Sequence, residues 1–172
     1  MTFTHAVSTD NYGSAKLIVA TSAANGTHTT LALAMAAASV GDTIILRNSV
    51  TENVTITPGV NIAAWSGGTL NTPSITGTLT MTGAGTSTIS GIELITNSAA
   101  IIAVTGSAAS ILNVQNCYLN CTNNTGITFS TSSGSAFINI QDCWGDLGTT
   151  GIGLFAHSSA GALQIWSSYF TN

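Results

Sequence analysis

An apolar doublet recurs along this chain at an almost constant interval, and the interval limits what the chain can fold into. Val54/Ile56 is followed by Leu79/Met81, Ile102/Val104, Ile127/Phe129 and Ile152/Leu154, at steps of 25, 23, 25 and 25 residues. A second motif keeps step with it: Val114-Gln-Asn116-Cys117-Tyr118, then Ile140-Gln-Asp142-Cys143-Trp144, then Ile165-Trp-Ser167-Ser168-Tyr169. A period in this range means one structural unit stacked on copies of itself. Each doublet sets two apolar residues two apart, the spacing of one face of a strand, and turn residues flank it. The expected fold class is therefore all-β, a parallel β-solenoid built from coils of short strands.

The second motif fixes which residues point where. In Leu112-Asn-Val-Gln-Asn-Cys-Tyr-Leu119, alternation puts Leu112 and Val114 inside. Asn116 then takes a corner, where a left-handed backbone is tolerable for Asn. Cys117 and Leu119 face inward again and Tyr118 faces out. The same alignment gives a corner column of Gly91, Asn116, Asp142 and Ser167, all turn-capable residues. Beside it runs an outward column of Glu93, Tyr118, Trp144 and Tyr169. Three stacked outward aromatics form a candidate contact stripe in a chain that is 6% aromatic. The stripe suits a neighbouring subunit or sugar rings; the plainer reading is that a loop of the same chain covers it.

The three cysteines cannot all pair within the chain. Cys117 and Cys143 hold the same place in successive coils. They are expected to stack inside as buried thiols, since a free cysteine behaves as a small hydrophobe. A disulfide between neighbouring coils is the lesser alternative. Cys121 is expected at a loop or edge.

Residues 1–27 do not follow the repeat and are read as an N-terminal arm or cap, with Lys16–Ala20 as one strand. Residues 28–41 change character: Leu-Ala-Leu-Ala-Met-Ala-Ala-Ala favours helix, with Thr27 or Thr29 as N-cap and Gly41 as the stop. A short apolar helix before a solenoid covers the open end of its core. Residues 42–172 form the coils, beginning with strands at Thr43–Leu46, Asn53–Ile56 and Val60–Ala64, the last two joined by Pro58-Gly59. The last coil starts at Ala162 and the sequence halts at Asn172. The expectation is that the natural protein continues or that a partner covers this end.

Composition removes several functions. Lys16 and Arg47 are the only basic residues, and nucleic-acid affinity rests on neutralising phosphates, so no nucleic acid is expected as a partner. The longest apolar run, Leu31–Val40, is interrupted by Ser39 and too short to insert in a membrane. The start, Met1-Thr-Phe-Thr-His5, lacks the basic residues and apolar run of a signal peptide. The four sequons, at Asn25, Asn53, Asn120 and Asn123, are read as chance in an Asn- and Thr-rich chain. Only 5% of residues are charged, about a fifth of the usual share, so the surface must be hidden by stacking or association.

The opening of the coiled part carries a family resemblance. The segments are Thr29-Thr-Leu-Ala-Leu-Ala-Met-Ala-Ala-Ala-Ser-Val-Gly-Asp-Thr-Ile-Ile-Leu46, then Thr51-Glu-Asn-Val-Thr-Ile56 and Gly59-Val-Asn-Ile62. A helix, a Gly-Asp-Thr-Ile strand entry, a Glu-Asn-Val strand and a Gly-Val strand resemble the opening of pectin-lyase-like right-handed parallel β-helix proteins. That group includes polysaccharide lyases and hydrolases, bacterial surface proteins, and phage tailspikes and fibres. The start without an export signal is most similar to the phage virion members. The resemblance implies a right-handed helix of about five coils, in a structural component of a tail fibre, tailspike or similar virion projection. It also implies a homotrimer, other virion proteins as partners, and contact with cell-surface polysaccharide. The alternatives are a polysaccharide-degrading enzyme of the same group and a bacterial surface adhesin.

The residues themselves argue against chemistry in this segment. Glycoside hydrolysis needs two carboxylates on one face, and no two acids share a column on adjacent coils. Asp142 and Asp146 are the closest pair in sequence, with Trp144-Gly145 between them. A Cys143–His157 nucleophilic pair is disfavoured because Cys143 is expected inward. His5, His28 and His157 lack metal-ligand spacing. Gly83-Ala-Gly85 lacks the third glycine and the following helix of a dinucleotide loop. No catalytic residue, metal or cofactor is expected.

Overall fold

The apolar doublets stack in register. Val54 and Ile56 pair with Leu79 and Met81, these with Ile102 and Val104, and these with Ile127 and Phe129. The computed structural model describes residues 17–20, 26–65, 72–96, 100–106, 109–121, 127–131, 136–146 and 161–171. The fifth doublet, Ile152/Leu154, lies outside the described residues, as do His5 and His157.

Three parallel sheets form the walls of the solenoid. The first face carries β1 (Leu17–Val19), β2 (Thr43–Leu46), β5 (Asn61–Ala64), β8 (Gly85–Ser90), β11 (Ser110–Gln115), β14 (Ala136–Gln141) and β16 (Gly161–Trp166). The second carries β3 (Val50–Thr51), β6 (Ser74–Thr76), β9 (Glu93–Thr96), β12 (Tyr118–Cys121), β15 (Trp144–Asp146) and β17 (Tyr169–Thr171). The third carries β4 (Val54–Ile56), β7 (Leu79–Thr82), β10 (Ile102–Gly106) and β13 (Ile127–Thr131). The chain visits the faces in turn. Four complete turns lie within the described residues; β14–β15 and β16–β17 begin two more. This is the expected all-β parallel β-helix with a short helix at its N-terminal end.

The core runs up the middle. Alternation turns Ile62, Ile89, Leu112, Val114, Ile138 and Ile140 inward from the first face, and all are buried. Polar columns outside tie the coils: the Asn139 amide donates to Asn113 Oδ1 at 2.8 Å, and the Thr88 N–H donates to Asn61 Oδ1 at 2.8 Å. Two buried hydroxyls on the first face are also satisfied. Ser87 accepts from the Gly59 N–H at 3.1 Å, and Ser110 donates to the Gly83 carbonyl.

The helix α1 (Leu31–Ala37) buries Leu31, Ala34 and Met35 on one side, against the first coil. It is shorter than the expected 28–41 segment, and its N-cap is Thr30, not Thr27 or Thr29; Thr30 Oγ1 accepts from the Leu33 N–H at 3.2 Å. Thr27 is engaged elsewhere, accepting the Ile18 N–H at 2.8 Å. The helix ends where Ala38 turns extended. Gly41, the expected stop, sits instead in the turn after it at φ +93 and donates its N–H to the Gly59 carbonyl at 2.8 Å. Within the N-terminal segment the strand expected at Lys16–Ala20 forms as β1, which pairs with β2 and extends the first sheet by one strand.

Candidate functional site

The corner between the first and second faces is two residues long from the third coil onward: Gly91-Ile92, Asn116-Cys117, Asp142-Cys143 and Ser167-Ser168. The first residue of each pair is left-handed, at φ +69, +52, +52 and +48. Gly, Asn and Asp enter that region more readily than other residues. Ser167 is the least suited of the four.

The second residue of each corner after the first has a polar or sulfur-bearing side chain that joins neighbouring coils. The Cys117 N–H donates to Cys143 Sγ at 3.4 Å, and the Cys143 N–H donates to Ser168 Oγ at 3.1 Å. Each side chain in turn donates back to the carbonyl two residues before it: Cys117 to Gln115 at 3.2 Å, Cys143 to Gln141 at 3.2 Å, Ser168 to Trp166 at 2.8 Å. Backbone bonds complete the ladder. Asn116 N–H donates to Gln141 at 3.0 Å and Asp142 N–H to Trp166 at 3.1 Å. Cys117 and Cys143 are buried free thiols, as expected. Burial pushes the Cys117 thiol well up, so this sulfur is not an activated nucleophile. Cys121 is also a buried free thiol, which corrects the loop or edge placement. The strand β12 runs two residues past Leu119, where the motif ends, and the alternation that buries Leu119 buries Cys121 too.

This rigid corner aims the aromatics. Tyr118 pairs with Trp144, Trp144 with Tyr169, and Glu93 precedes Tyr118 in the column. Tyr118 is 42% and Tyr169 67% exposed, while Trp144 is half-buried. Across the corner, Gln115, Gln141 and Trp166 form the last outward column of the first face. Trp166 is 59% exposed and adds a fourth ring to the ridge. Trp166 lies within the repeated motif but outside the predicted stripe; its place next to inward Ile165 in one strand is the signal that it faces out. On the other flank, Asn120, Asp146 and Thr171 share a column. Rings one strand apart, about 4.8 Å, edged by amides and carboxylates, present a flat apolar strip with polar margins.

The acids are dispersed among other residue types. Asp142 stands between Asn116 and Ser167 at the corner, and Asp146 between Asn120 and Thr171. Glu93 stands between Ser74 and Tyr118. Asp42 accepts the Ser39 N–H at 2.8 Å. Glu52, part of the family-like Glu-Asn-Val segment, has a structural role that its sequence does not signal. Its two carboxylate oxygens accept the Leu31 and Ala32 N–H groups at 2.7 and 3.0 Å, completing the start of α1. Arg47 lies 4.8 Å from the Trp65 ring centroid, a cation–π contact in the first coils. Among the described residues no three His, Cys, Asp or Glu side chains gather to hold a metal, and no helix is long and apolar enough to cross a membrane. Comparison with family models, curated proteins and solved structures gives no match to this chain.

Proposed function

We propose that this chain is a structural component of a virion projection, a tail fibre or tailspike, that assembles as a homotrimer through its corner ridge. The observation that carries the reading is the in-register, outward column of Tyr118, Trp144 and Tyr169 beside Trp166, in a chain only 5% charged. A contiguous apolar strip exposed to solvent marks an interaction site. The virion assignment and the trimer come from the resemblance of residues 29–62 to pectin-lyase-like β-helix proteins. A second reading, contact of the ridge with a cell-surface polysaccharide, is favoured by Asn120 and Asp146, whose polar side chains flank the rings as sugar hydroxyls require.

Sedimentation velocity tests the assembly. The expected species has three times the 17.3 kDa mass of the chain. Trp144→Asp should shift it to monomer, because it sets an unpaired charge into a desolvated contact. A native chain that remains monomeric across the concentration range would overturn the reading.

A further inference from the structure

The stack brings one pair of the three cysteines together. Cys117 and Cys143 hold the second place of successive corners, after Asn116 and Asp142, whose backbones share φ +52. Backbone hydrogen bonds clamp the two corners on both sides of the pair. The Asn116 N–H donates to the Gln141 carbonyl at 3.0 Å before it, and the Trp144 N–H to the Cys117 carbonyl at 3.0 Å after it. Chains paired in this way run about 4.8 Å apart, inside the roughly 4.4–6.8 Å between Cα atoms that a disulfide spans. The side chains meet as well: the Cys117 N–H donates to Cys143 Sγ at 3.4 Å, and the two thiols are in hydrogen-bonding contact. Cys121 stands outside this arrangement. It lies four residues along the chain from Cys117, about 13 Å of extended strand, and its registered neighbour is Thr96.

The two sulfurs are not equivalent. Cys143 can take hydrogens from both the N–H and the thiol of Cys117. The bond from the Cys117 thiol pulls Cys143 down from its ordinary pKa, while burial pushes Cys117 up. Cys143 is therefore the sulfur that ionises first, with the Cys117 proton beside it. Both sulfurs are buried, but the column is looser on the Cys143 side. Ser168, the next member, is half-buried, and Ile165 in the same coil is 40% exposed. Local opening of that coil admits a molecule the size of water and excludes a bulky thiol reagent or disulfide.

We infer that Cys117 and Cys143 form an oxidation site for hydrogen peroxide, which closes them into a disulfide joining the coil of β11–β12 to that of β14–β15. The Cys143 thiolate attacks one oxygen of the peroxide. The O–O bond breaks, the sulfur becomes a sulfenic acid, and the departing hydroxide takes up the thiol proton as water. The Cys117 sulfur then attacks the Cys143 sulfur. The S–S bond forms, the S–O bond breaks, and the hydroxyl leaves with the Cys117 proton as a second water. Two thiols and one peroxide thus give one disulfide and two waters, with two electrons passing from sulfur to oxygen. The corners need not move, because their backbones already stand at bridging distance. The reaction is confined to one pair, since the third member of the ladder, Ser168, takes the same hydrogen bond from the Cys143 N–H but has no sulfur to bridge. The inference rests on the corner geometry and is independent of the virion reading.

The test is a thiol count on the full 172-residue chain. The folded protein is exposed to dilute hydrogen peroxide, the peroxide is removed, the chain is unfolded in guanidinium, and its free thiols are alkylated and counted by intact mass. Three are expected before peroxide. After it the bridged two should be missing, leaving Cys121 alone to be alkylated, and a reductant added before alkylation should restore all three. The oxidised chain should also melt at a higher temperature, because the bridge constrains its unfolded state. Cys121→Ser should oxidise at the native rate. Cys143→Ser should keep its two remaining thiols over the same exposure. A native chain that retains three thiols would overturn the inference. So would a loss of thiols that the reductant fails to restore, or a bridge that includes Cys121 or a second chain.

Discussion

At the N-terminal end, α1 lays Leu31, Ala34 and Met35 over the first coil, and Ile44, Leu46, Val54 and Ile56 beneath it are all buried. In the last described coil the same kind of residue fares differently. Ile165 stands in the column of Val114 and Ile140, both fully buried, yet it is 40% exposed. The difference teaches that a place in the repeat assigns direction but not burial. Burial is supplied by the coils on either side, so stability in such a stack is a sum of nearest-neighbour terms. It also shows what a cap must do. The helix supplies apolar side chains, and Glu52 and Thr30 satisfy the backbone donors that the helix start would otherwise leave unpaired.

The largest expected effect separates the two regions directly. Ile140→Ala should cost about 2–5 kcal/mol by leaving a cavity in a closed core. Ile165→Ala, in the same column but half open to solvent, should cost well under half as much in the same urea titration. Equal losses would show that the terminal coil is packed like the middle.

Gly145→Ala comes next. Gly145 stands in the inward column between Leu119 and Phe170, and a Cβ there would run into the Leu119 carbonyl and lie 2.9 Å from the Phe170 ring. Phe170 fills the space the glycine leaves. The substitution should cost about 1–3 kcal/mol by overpacking, and it should loosen β17 first, which hydrogen exchange at Tyr169–Thr171 would report. Exchange spread evenly over all coils would contradict this.

At the capped end, Glu52→Gln keeps the shape but removes the charge facing the two helix N–H groups. A loss on the order of 1 kcal/mol is expected, confined to α1 and the first coils. No change in the melt would mean that Thr30 and solvent suffice. The smallest effect is a gain. Ser167→Asn replaces the corner residue least suited to φ +48 by one that tolerates it, for about 0.5 kcal/mol.

The regular part of the molecule was legible because its rules are local. Doublets, corner residues and the aromatic column follow from a period of two along a strand and one left-handed residue per corner, and Asn116, Asp142 and Ser167 sit where that logic puts them. The parts that were not legible depend on tertiary partners. Thr30 is the N-cap because the helix begins at Leu31, where Glu52 from the first coil holds the Leu31 and Ala32 N–H groups, and no local signal distinguishes the threonines before it. Val50–Thr51 is too short to announce itself, and forms a strand because Ser74–Thr76 lies beside it. Cys121 lies two residues beyond the repeated motif, and only the pairing of β12 with β9 carries the strand that far.

One register, coil upon coil, holds the whole stack, and a cross-link reads it most directly. Asn113 and Asn139 face each other on β11 and β14, with their amides 2.8 Å apart. In Asn113→Cys/Asn139→Cys, mild oxidation should join the two new cysteines within one chain, since adjacent strands lie about 4.8 Å apart, and the product should run faster on a non-reducing gel. Asn113→Cys/Gln141→Cys, shifted by two residues, should join far more slowly. Ready cross-linking of the shifted pair, with none in the first, would contradict the register and with it the columns on which every site described above depends.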